Sequence, residues 1–431
     1  MRFSIETLGC KVNQYESQAL ESLLRARGHE PAEPGGACDA VIVNTCAVTA
    51  ESGRKSRQAV RRAKKQYPGA VVAVCGCWSQ IEPEEASALE ADIVYGSGDR
   101  RALAEDIERA VEERTRITKV DEALRRRTFE ELPVGSYSGR TRAMLKVQDG
   151  CVNFCAYCVI PYARGPVRSL PVDRAAEAAA GLCRSGFREI VVTGIEISSY
   201  GADLNGPTLI DLLERVAEAA PGVRIRLGSL EPRIITEEFT KRAAEIGTLC
   251  PHFHLSLQSG CDDTLRRMRR KYDTARFYES VALLRGAFPG CGLTADLITG
   301  FPGEDDREFD ETLAFLEKCA FSSMHVFPYS RRPGTPAASM PDQVKNAVKK
   351  ERAARASALA ERMAQDFRKR LVGSVQQVLF ETEKDGRSFG HTGSYVMTGA
   401  EGSGLRNCIL PVQINAEKNG ILCGKVLLPD V

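Results

Sequence analysis

Apolar residues fall into short runs that alternate with amphipathic stretches. Phe3–Thr7, Ala40–Asn44, Ala70–Val74 and Ile93–Tyr95 read as strands. Gln14–Arg27 carries Ala19, Leu20, Leu23 and Leu24 on one stripe and reads as a helix. Ser52–Tyr67, a stretch starting near Pro83, and Arg101–Glu113 read the same way. Strands alternating with helices predict a parallel sheet with helices on its faces. Arg114–Arg140 mixes charges with Gly, Pro and Ser and loses the periodicity, so a linker is expected, with a domain boundary near Pro133–Ser138. Six more strand-like runs follow: Ala143–Gln148, Glu189–Thr193, Arg224–Leu227, His252–Leu257, Leu293–Ile298 and Ser323–Phe327. Helical patterns separate them, among them Asp173–Ser185, Leu209–Ala219 and Arg307–Lys318. Six units are fewer than a closed eight-fold barrel needs, so an open, partial (βα)6 barrel is expected. Asp342–Arg370 reads as a long basic amphipathic helix. Beyond it Gly373–Glu381, Gly390–Thr398, Asn407–Ile414 and Gly424–Leu428 are β-rich with Gly turns and predict a small β-barrel. The expected fold class is α/β, in three units: residues 1–134, 135–370 and 371–431.

Composition narrows the class. A chain of 431 residues is too long for one ordinary core. Its 43% hydrophobic and 27% charged content is that of a globular protein. No run of apolar residues reaches membrane-spanning length, and Met-Arg-Phe-Ser-Ile-Glu at the start lacks a signal-peptide core, so a cytoplasmic protein with no membrane partner is expected. In a reducing compartment 15 cysteines argue for metal ligation or buried thiols, not disulfides. The net charge of +2 leaves nucleic-acid binding to local patches. Two are present. Ser52–Lys65 holds seven Lys or Arg and no acid, and Leu265-Arg-Arg-Met-Arg-Arg-Lys271 is the second. Taken alone, a charge run is more often a solvated helix face than a phosphate contact.

The cysteines carry the chemistry. Cys151-Val-Asn-Phe-Cys-Ala-Tyr-Cys158 places three thiols in a C-x3-C-x2-C run bracketed by Gly150 and Pro161. Thiolates are the soft ligands that iron–sulfur clusters and zinc take. A closed site usually has four ligands, yet the next Cys, Cys183, lies 25 residues past Cys158. Three ligands leave one metal corner open to bind a small molecule. Another three cysteines share a place in the strand–helix pattern. Cys10, Cys46 and Cys77 each lie just after a predicted strand, and ligand sites in parallel sheets gather at strand carboxyl ends. Cys75, two residues before Cys77, competes as the third member. Cys38, Cys183, Cys250, Cys261, Cys291 and Cys319 share no spacing and are expected to be plain thiols, and Cys408 and Cys423 lack a metal pattern.

The C-x3-C-x2-C run with Tyr157 resembles the radical S-adenosylmethionine (SAM) superfamily. That resemblance implies a [4Fe-4S] cluster on Cys151, Cys155 and Cys158, whose free iron chelates SAM. Thr193-Gly194-Ile-Glu196 resembles the motif that holds the methionyl end of SAM, with Glu196 standing where related enzymes often have His or Asn. Glu231, Gln258 and Ile298 follow later strands and are implied as contacts to ribose, carboxylate or adenine; each reads about equally as an ordinary barrel-rim residue.

Leu8-Gly-Cys-Lys-Val-Asn-Gln-Tyr-Glu-Ser17, Asn44-Thr-Cys-Ala-Val-Thr49 and Gly76-Cys-Trp-Ser-Gln80 resemble the three cysteine motifs of the methylthiotransferase family. There such cysteines hold a second, auxiliary [4Fe-4S] cluster, which implies Cys10, Cys46 and Cys77 as its ligands here. Lys11-Val-Asn13, Lys55-Ser-Arg-Gln58 and His325-Val-Phe-Pro-Tyr-Ser330 are similar to the branch that acts on threonylcarbamoyladenosine in tRNA. Sister branches act on isopentenyladenosine in tRNA or on a ribosomal-protein aspartate.

The implied reaction adds sulfur and methyl at C2 of an adenine 3′ of the anticodon, in the anticodon stem-loop. An unactivated C–H needs a radical route, which a cofactor supplies. Two SAM molecules are implied, one methylating a cluster sulfur and one cleaved to the radical. An electron donor of the flavodoxin or ferredoxin type is implied, and the sulfur donor is unspecified. The C-terminal unit resembles the TRAM module, an RNA-binding barrel, although it carries five Lys or Arg against six Asp or Glu. Arg387, Phe389, His391 and Tyr395 are its expected RNA contacts. Two other classes compete: an iron–sulfur electron-transfer protein and a zinc-stabilised RNA-binding module. The first needs no six βα units, and the second more often shows a nearby fourth ligand.

Overall fold

A computed structural model describes residues 1–33, 35–133 and 141–427. The N-terminal part is a six-stranded, all-parallel sheet. Its strands are β1 (Arg2–Thr7), β2 (Glu30–Pro31), β3 (Ala40–Thr45), β4 (Val71–Gly76), β5 (Ile93–Tyr95) and β6 (Ile117–Lys119), in the order β2-β1-β3-β4-β5-β6. Helices α1 (Lys11–Ala26), α2 (Ala50–Gln66), α3 (Cys77–Ile81), α4 (Pro83–Ala88) and α5 (Arg100–Glu113) cover the faces. β3 and β4 are buried on both sides, which is why they read as unbroken Val- and Ile-rich runs. α2 opens on a capping box: Thr49 Oγ1 accepts from the Ser52 N–H at 3.0 Å and Ser52 Oγ accepts from the Thr49 N–H at 2.9 Å.

The strand order reverses between β1 and β3, because β2 lies outside β1 while β3 and β4 build the other way. A crevice opens at the carboxyl ends beside such a switch point. The expected linker is partly structural. β6 pairs with β5, and a 3-10 turn at Ala123–Arg125 backs against Gly165. A three-residue edge strand is too short for periodicity to reveal. The expected boundary at Pro133–Ser138 lies outside the described residues after Pro133.

The central part begins with β7 (Arg142–Lys146), followed by a two-stranded antiparallel ribbon of β8 (Gln148–Asp149) and β9 (Arg168–Ser169). Helix α6 (Ile160–Arg164) lies inside that ribbon's connection. Then come β10 (Glu189–Thr193), β11 (Arg224–Leu227), β12 (Ser229–Leu230), β13 (His252–Gln258), β14 (Gly292–Thr299) and β15 (Ser323–Pro328). Parallel pairing runs β7-β10-β11, and then β12-β13-β14-β15. The chain passes from β11 into β12, and a bridge between Ile225 and Leu249 spans the join. β7 and β15 do not pair, so six successive strand positions make an open barrel. Ala143, Val192, Ile225, Leu255, Leu293 and their neighbours form its core with the outer helices.

A 26-residue helix, Asn346–Leu371, packs along β14 and β15 and leads to five strands. These are β16 (Val375–Lys384), β17 (Arg387–Thr392), β18 (Met397–Glu401), β19 (Ile409–Lys418) and β20 (Ile421–Val426), closed as β16-β17-β18-β20-β19. The β-rich run Gly390–Thr398 spans two antiparallel strands and the turn between them. Ser394 tucks into that turn through hydrogen bonding to Thr392 Oγ1 at 3.0 Å. No helix among the described residues is long and apolar enough to cross a membrane.

Candidate active site

The N-terminal crevice gathers Cys10, Cys46 and Cys77. Cys10 caps the start of α1, Cys46 follows β3, and Cys77 opens α3 directly after β4. Gly9, at φ +98°, makes the approach possible: a Cβ there would lie 2.7 Å from Cys46 Cβ and 2.8 Å from its Sγ. Cys46 and Cys77 are buried, whereas Cys10 is open to solvent at the floor of the crevice. Burial pushes the Cys46 and Cys77 thiols up, and the dense crevice walls around Cys10 raise it too although its surface is open; each thiol feels another of the set electrostatically. Cys75 points elsewhere. It is fully buried on the other face of the sheet, in the core formed with Leu20, Leu24, Leu103 and Ile107. Cys75 is the penultimate residue of β4, and the change from strand to α3 after Gly76 turns Cys77 into the crevice.

Sequence reading missed the side chain behind this trio. Arg164, at the end of α6 and wholly buried, donates from Nε to Cys77 Sγ at 3.2 Å. It also donates from Nη2 to Asn13 Oδ1 at 2.9 Å and to Glu16 Oε2 at 3.0 Å. Glu16 is 1% exposed and further holds Lys146 and Arg100, each at 3.0 Å. Asp149 pairs with Lys146 at 2.7 Å and Arg168 at 3.4 Å. Burial alone would raise both carboxyls. Arg164, Lys146 and Arg100 hold Glu16 well below the usual carboxylate range, and Lys146, Arg164 and Arg168 bring Asp149 down to about 2. The only signal for this network was the spread of isolated charges next to cysteine motifs, and nothing in the spacing pairs them.

The second trio sits at the carboxyl end of β7. Gly150, at φ +78°, precedes Cys151, and a Cβ there would lie 1.9 Å from the Pro166 carbonyl. Gln148 is fully buried and braces the loop, donating to the Gly150 carbonyl at 2.7 Å and accepting from the Glu196 N–H at 2.8 Å. Ala156 N–H bonds the Met268 carbonyl, and its own carbonyl accepts from Ala337 N–H at 2.8 Å. Burial pushes Cys151 to about 11 and Cys158 to about 12. Cys155 Sγ accepts from Arg270 Nη1 at 3.1 Å. Arg270 comes from the second basic patch, and that changes the reading of the patch. Arg267 pairs with Glu308 and Arg266 with Asp263 at the surface, so three of its five cations already have partners in the chain.

The expected SAM contacts converge only partly. Tyr157 packs edge-on to Phe301 with ring centroids 6.5 Å apart, and Ile298 joins the same apolar cluster. Glu196 is buried deep enough to raise its carboxyl, and it accepts from Ser198 N–H at 3.2 Å and Asn153 Nδ2 at 3.5 Å. Glu231 is 4% exposed and accepts from Arg233 Nε at 2.9 Å. Gln258 ends β13 at φ +68°, and among the described residues its side chain makes no hydrogen bond. Thr193 closes β10, and Gly194 lies against the Gln148 carbonyl.

In the C-terminal barrel two of the expected RNA contacts, His391 and Tyr395, pack against the central part, with Tyr395 still 36% exposed. His391 stacks on Tyr395 with centroids 4.6 Å apart, and Tyr395 in turn meets His252 at 5.0 Å. The Arg226 and Arg142 guanidiniums lie 4.7 and 5.3 Å from the Tyr395 ring, and Glu381 pairs with Arg142 at 2.7 Å. These two aromatic side chains lock the barrel onto the strand starts of the central part. Arg387 and Phe389, with the cation 5.7 Å from the ring, lie outside this seam.

Two family models match the chain. Residues 145–316 match the radical SAM superfamily, and residues 2–96 match a family described only as uncharacterized protein family UPF0004. Curated relatives span nearly the whole chain. The threonylcarbamoyladenosine tRNA methylthiotransferase MtaB of Bacillus subtilis is 40% identical over 91% of this chain and 89% of its own length. That of Thermotoga maritima is 38% identical over 88% and 86%. The chain belongs to the radical SAM methylthiotransferase family, in its threonylcarbamoyladenosine branch. A sister-branch relative, the tRNA-2-methylthio-N(6)-dimethylallyladenosine synthase of Pelotomaculum thermopropionicum, is 34% identical over 89% of this chain and 87% of its own length. Among solved structures, the radical SAM methyltransferase TsrM of Kitasatospora setae shares the fold at TM-score 0.57 and 17% identity, over 78% of this chain and 77% of its own.

Proposed function

We propose that this member of the methylthiotransferase family adds a methylthio group at C2 of N6-threonylcarbamoyladenosine in tRNA, next to the anticodon. The observation that carries the reading is the pair of thiol trios. Among the described residues each is short of a fourth protein ligand, and the short helix after one loop ends in a side chain bound to the other. Their surroundings fit iron–sulfur clusters. Gly9 leaves space for the groups on Cys10 and Cys46 to face one another, and the buried cations beside Cys77 suit an anionic complex. Cys151, Cys155 and Cys158 would hold one [4Fe-4S] cluster, and Cys10, Cys46 and Cys77 the auxiliary one. With SAM, these groups supply one-electron cleavage to a carbon radical and the sulfur to be transferred.

The chain's own residues bind, orient and exclude. Tyr157 and Ile298 offer apolar contact for adenine, and Glu196, Glu231 and Gln258 offer acceptors and a donor for the amino and hydroxyl groups of SAM. Thr193 and Gly194 bring the backbone of β10 up to its methionyl end. Arg270 holds Cys155 in place and offsets its charge. On α2, Lys55, Arg61 and Lys65 are exposed and without ion pairs among the described residues, which suits tRNA phosphates, and Arg387 and Phe389 suit a placed contact on the C-terminal barrel. An electron donor of the flavodoxin or ferredoxin type would reduce the Cys151–Cys158 site.

Mass spectrometry of tRNA nucleosides, from cells with and without this gene, tests the reading. Loss of 2-methylthio-N6-threonylcarbamoyladenosine with its unthiolated precursor accumulating is expected. Loss of the isopentenyl counterpart instead moves the chain to the sister branch.

A further inference from the structure

Among the described residues, Arg164 joins the two thiol sites. It stands six residues after Cys158, at the end of the short helix that leaves the C-x3-C-x2-C loop, yet its guanidinium lies inside the N-terminal part. One nitrogen bonds Cys77 Sγ directly. Another bonds Asn13 Oδ1, which lies 3.9 Å from Cys10 Sγ, so Arg164 touches one sulfur of the trio and reaches a second through Asn13.

The charge balance around it is uneven. Arg100, Lys146, Arg164 and Arg168 are all at most 4% exposed at the side chain. Among the described residues, Glu16 and Asp149 are the buried carboxylates that face them. Glu130, half-buried at the rim beside Arg100, offsets a third charge. Asp121 also faces Arg168, but Arg126, which it pairs with, faces Arg168 too, and these two charges cancel. One cation is left over, and an uncompensated buried charge is costly. The cation in contact with sulfur is Arg164. Three thiolates on a [4Fe-4S]2+ core carry a net negative charge, and would supply the missing anion.

We propose that Arg164 is a positioning residue of the auxiliary cluster: its N–H···S bond to Cys77 and its charge raise that cluster's reduction potential, and its place on α6 ties the cluster to the SAM-site loop. Hydrogen bonds to cluster sulfurs and nearby positive charge favour the reduced, more negative state. The proposal rests on the reading of Cys10, Cys46 and Cys77 as cluster ligands.

The test uses the full chain carrying Cys151→Ala, Cys155→Ala and Cys158→Ala, so that one cluster reports alone. After anaerobic reconstitution, iron content and the midpoint potential are measured by EPR-monitored redox titration. Arg164→Gln should lower the equilibrium constant for one-electron reduction by about tenfold or more, about 59 mV. Arg164→Lys, which keeps the charge and loses the forked geometry, should fall between. Glu16→Gln removes a neighbouring negative charge and should shift the potential the opposite way. Circular dichroism identifies any variant that fails to fold, and the remaining ones then decide. Iron bound in every folded variant with potentials that differ by less than twofold in equilibrium constant overturns the proposal. A parent that binds no iron sinks the cluster reading itself and the proposal with it.

Discussion

The two thiol trios are built by opposite routes. Cys151, Cys155 and Cys158 share one loop, and a glycine plus a buried glutamine hold that loop in shape. Cys10, Cys46 and Cys77 come from three strand ends, and only the order β2-β1-β3-β4 places them around one crevice. The basic stretches diverge in the same way. α2 leaves Lys55, Arg61 and Lys65 in solvent, whereas the run near Arg267 turns its arginines onto Glu308 and Cys155. A local motif states its geometry in its spacing. A dispersed one depends on the fold, and so can be damaged from a distance.

The largest expected effect separates the trios outright. Replacing Cys151, Cys155 and Cys158 together by Ala should abolish SAM cleavage and roughly halve the iron, since one of two clusters is lost. Complete loss of iron from a folded variant would falsify the two-site reading. Next, Cys77→Ala should eliminate methylthiolation while SAM cleavage continues, and Cys75→Ala should leave both in place with at most a modest stability loss. Product analysis beside a 5′-deoxyadenosine assay reads this, and the reverse result would assign the ligand to Cys75.

A third prediction concerns the buried ion network behind the dispersed site. Asp149 is held at about 2 against an ordinary 3.8. Its folded value is depressed, so its pairs contribute stability that is complete above about pH 4 and lost as the pH falls toward about 2. Glu16 acts in the same direction. Asp149→Asn should cost about 3–5 kcal/mol near neutral pH by stranding buried cations, and should flatten stability across that acid window. Urea unfolding of the cluster-free chain between about pH 5 and about pH 2, values chosen to span that window, measures it. Parallel curves for the two proteins would remove the network's claimed role.

The smallest effect distinguishes the basic stretches. Lys55→Gln, Arg61→Gln and Lys65→Gln together should reduce the salt slope of tRNA binding by roughly 0.7–0.9 for each phosphate that is no longer neutralised. Arg267→Gln should lower stability and leave the slope alone, because its partner is Glu308. A slope that responds to Arg267 and not to α2 reverses the division.

The strand–helix alternation and the six barrel runs were legible in the sequence because a buried strand is a continuous apolar run and a packed helix has a stripe. The cysteines after three strands were legible for the same reason. β6 was not, since three residues at a sheet edge carry no period, and the Gly390–Thr398 turn was hidden in a run of strand-forming residues. The sequence by itself determined the elements, the C-x3-C-x2-C loop and the family to which its motifs are similar. Tertiary structure decided which thiol of Cys75 and Cys77 faces the crevice, that Arg164 and Arg270 end on sulfur, and that His391 and Tyr395 pack into a seam with the central part. The reason is physical: ligand spacing within one loop is fixed by covalent geometry. A buried charge finds its partner through the fold, across separations such as Glu16 to Arg164 that no local pattern encodes.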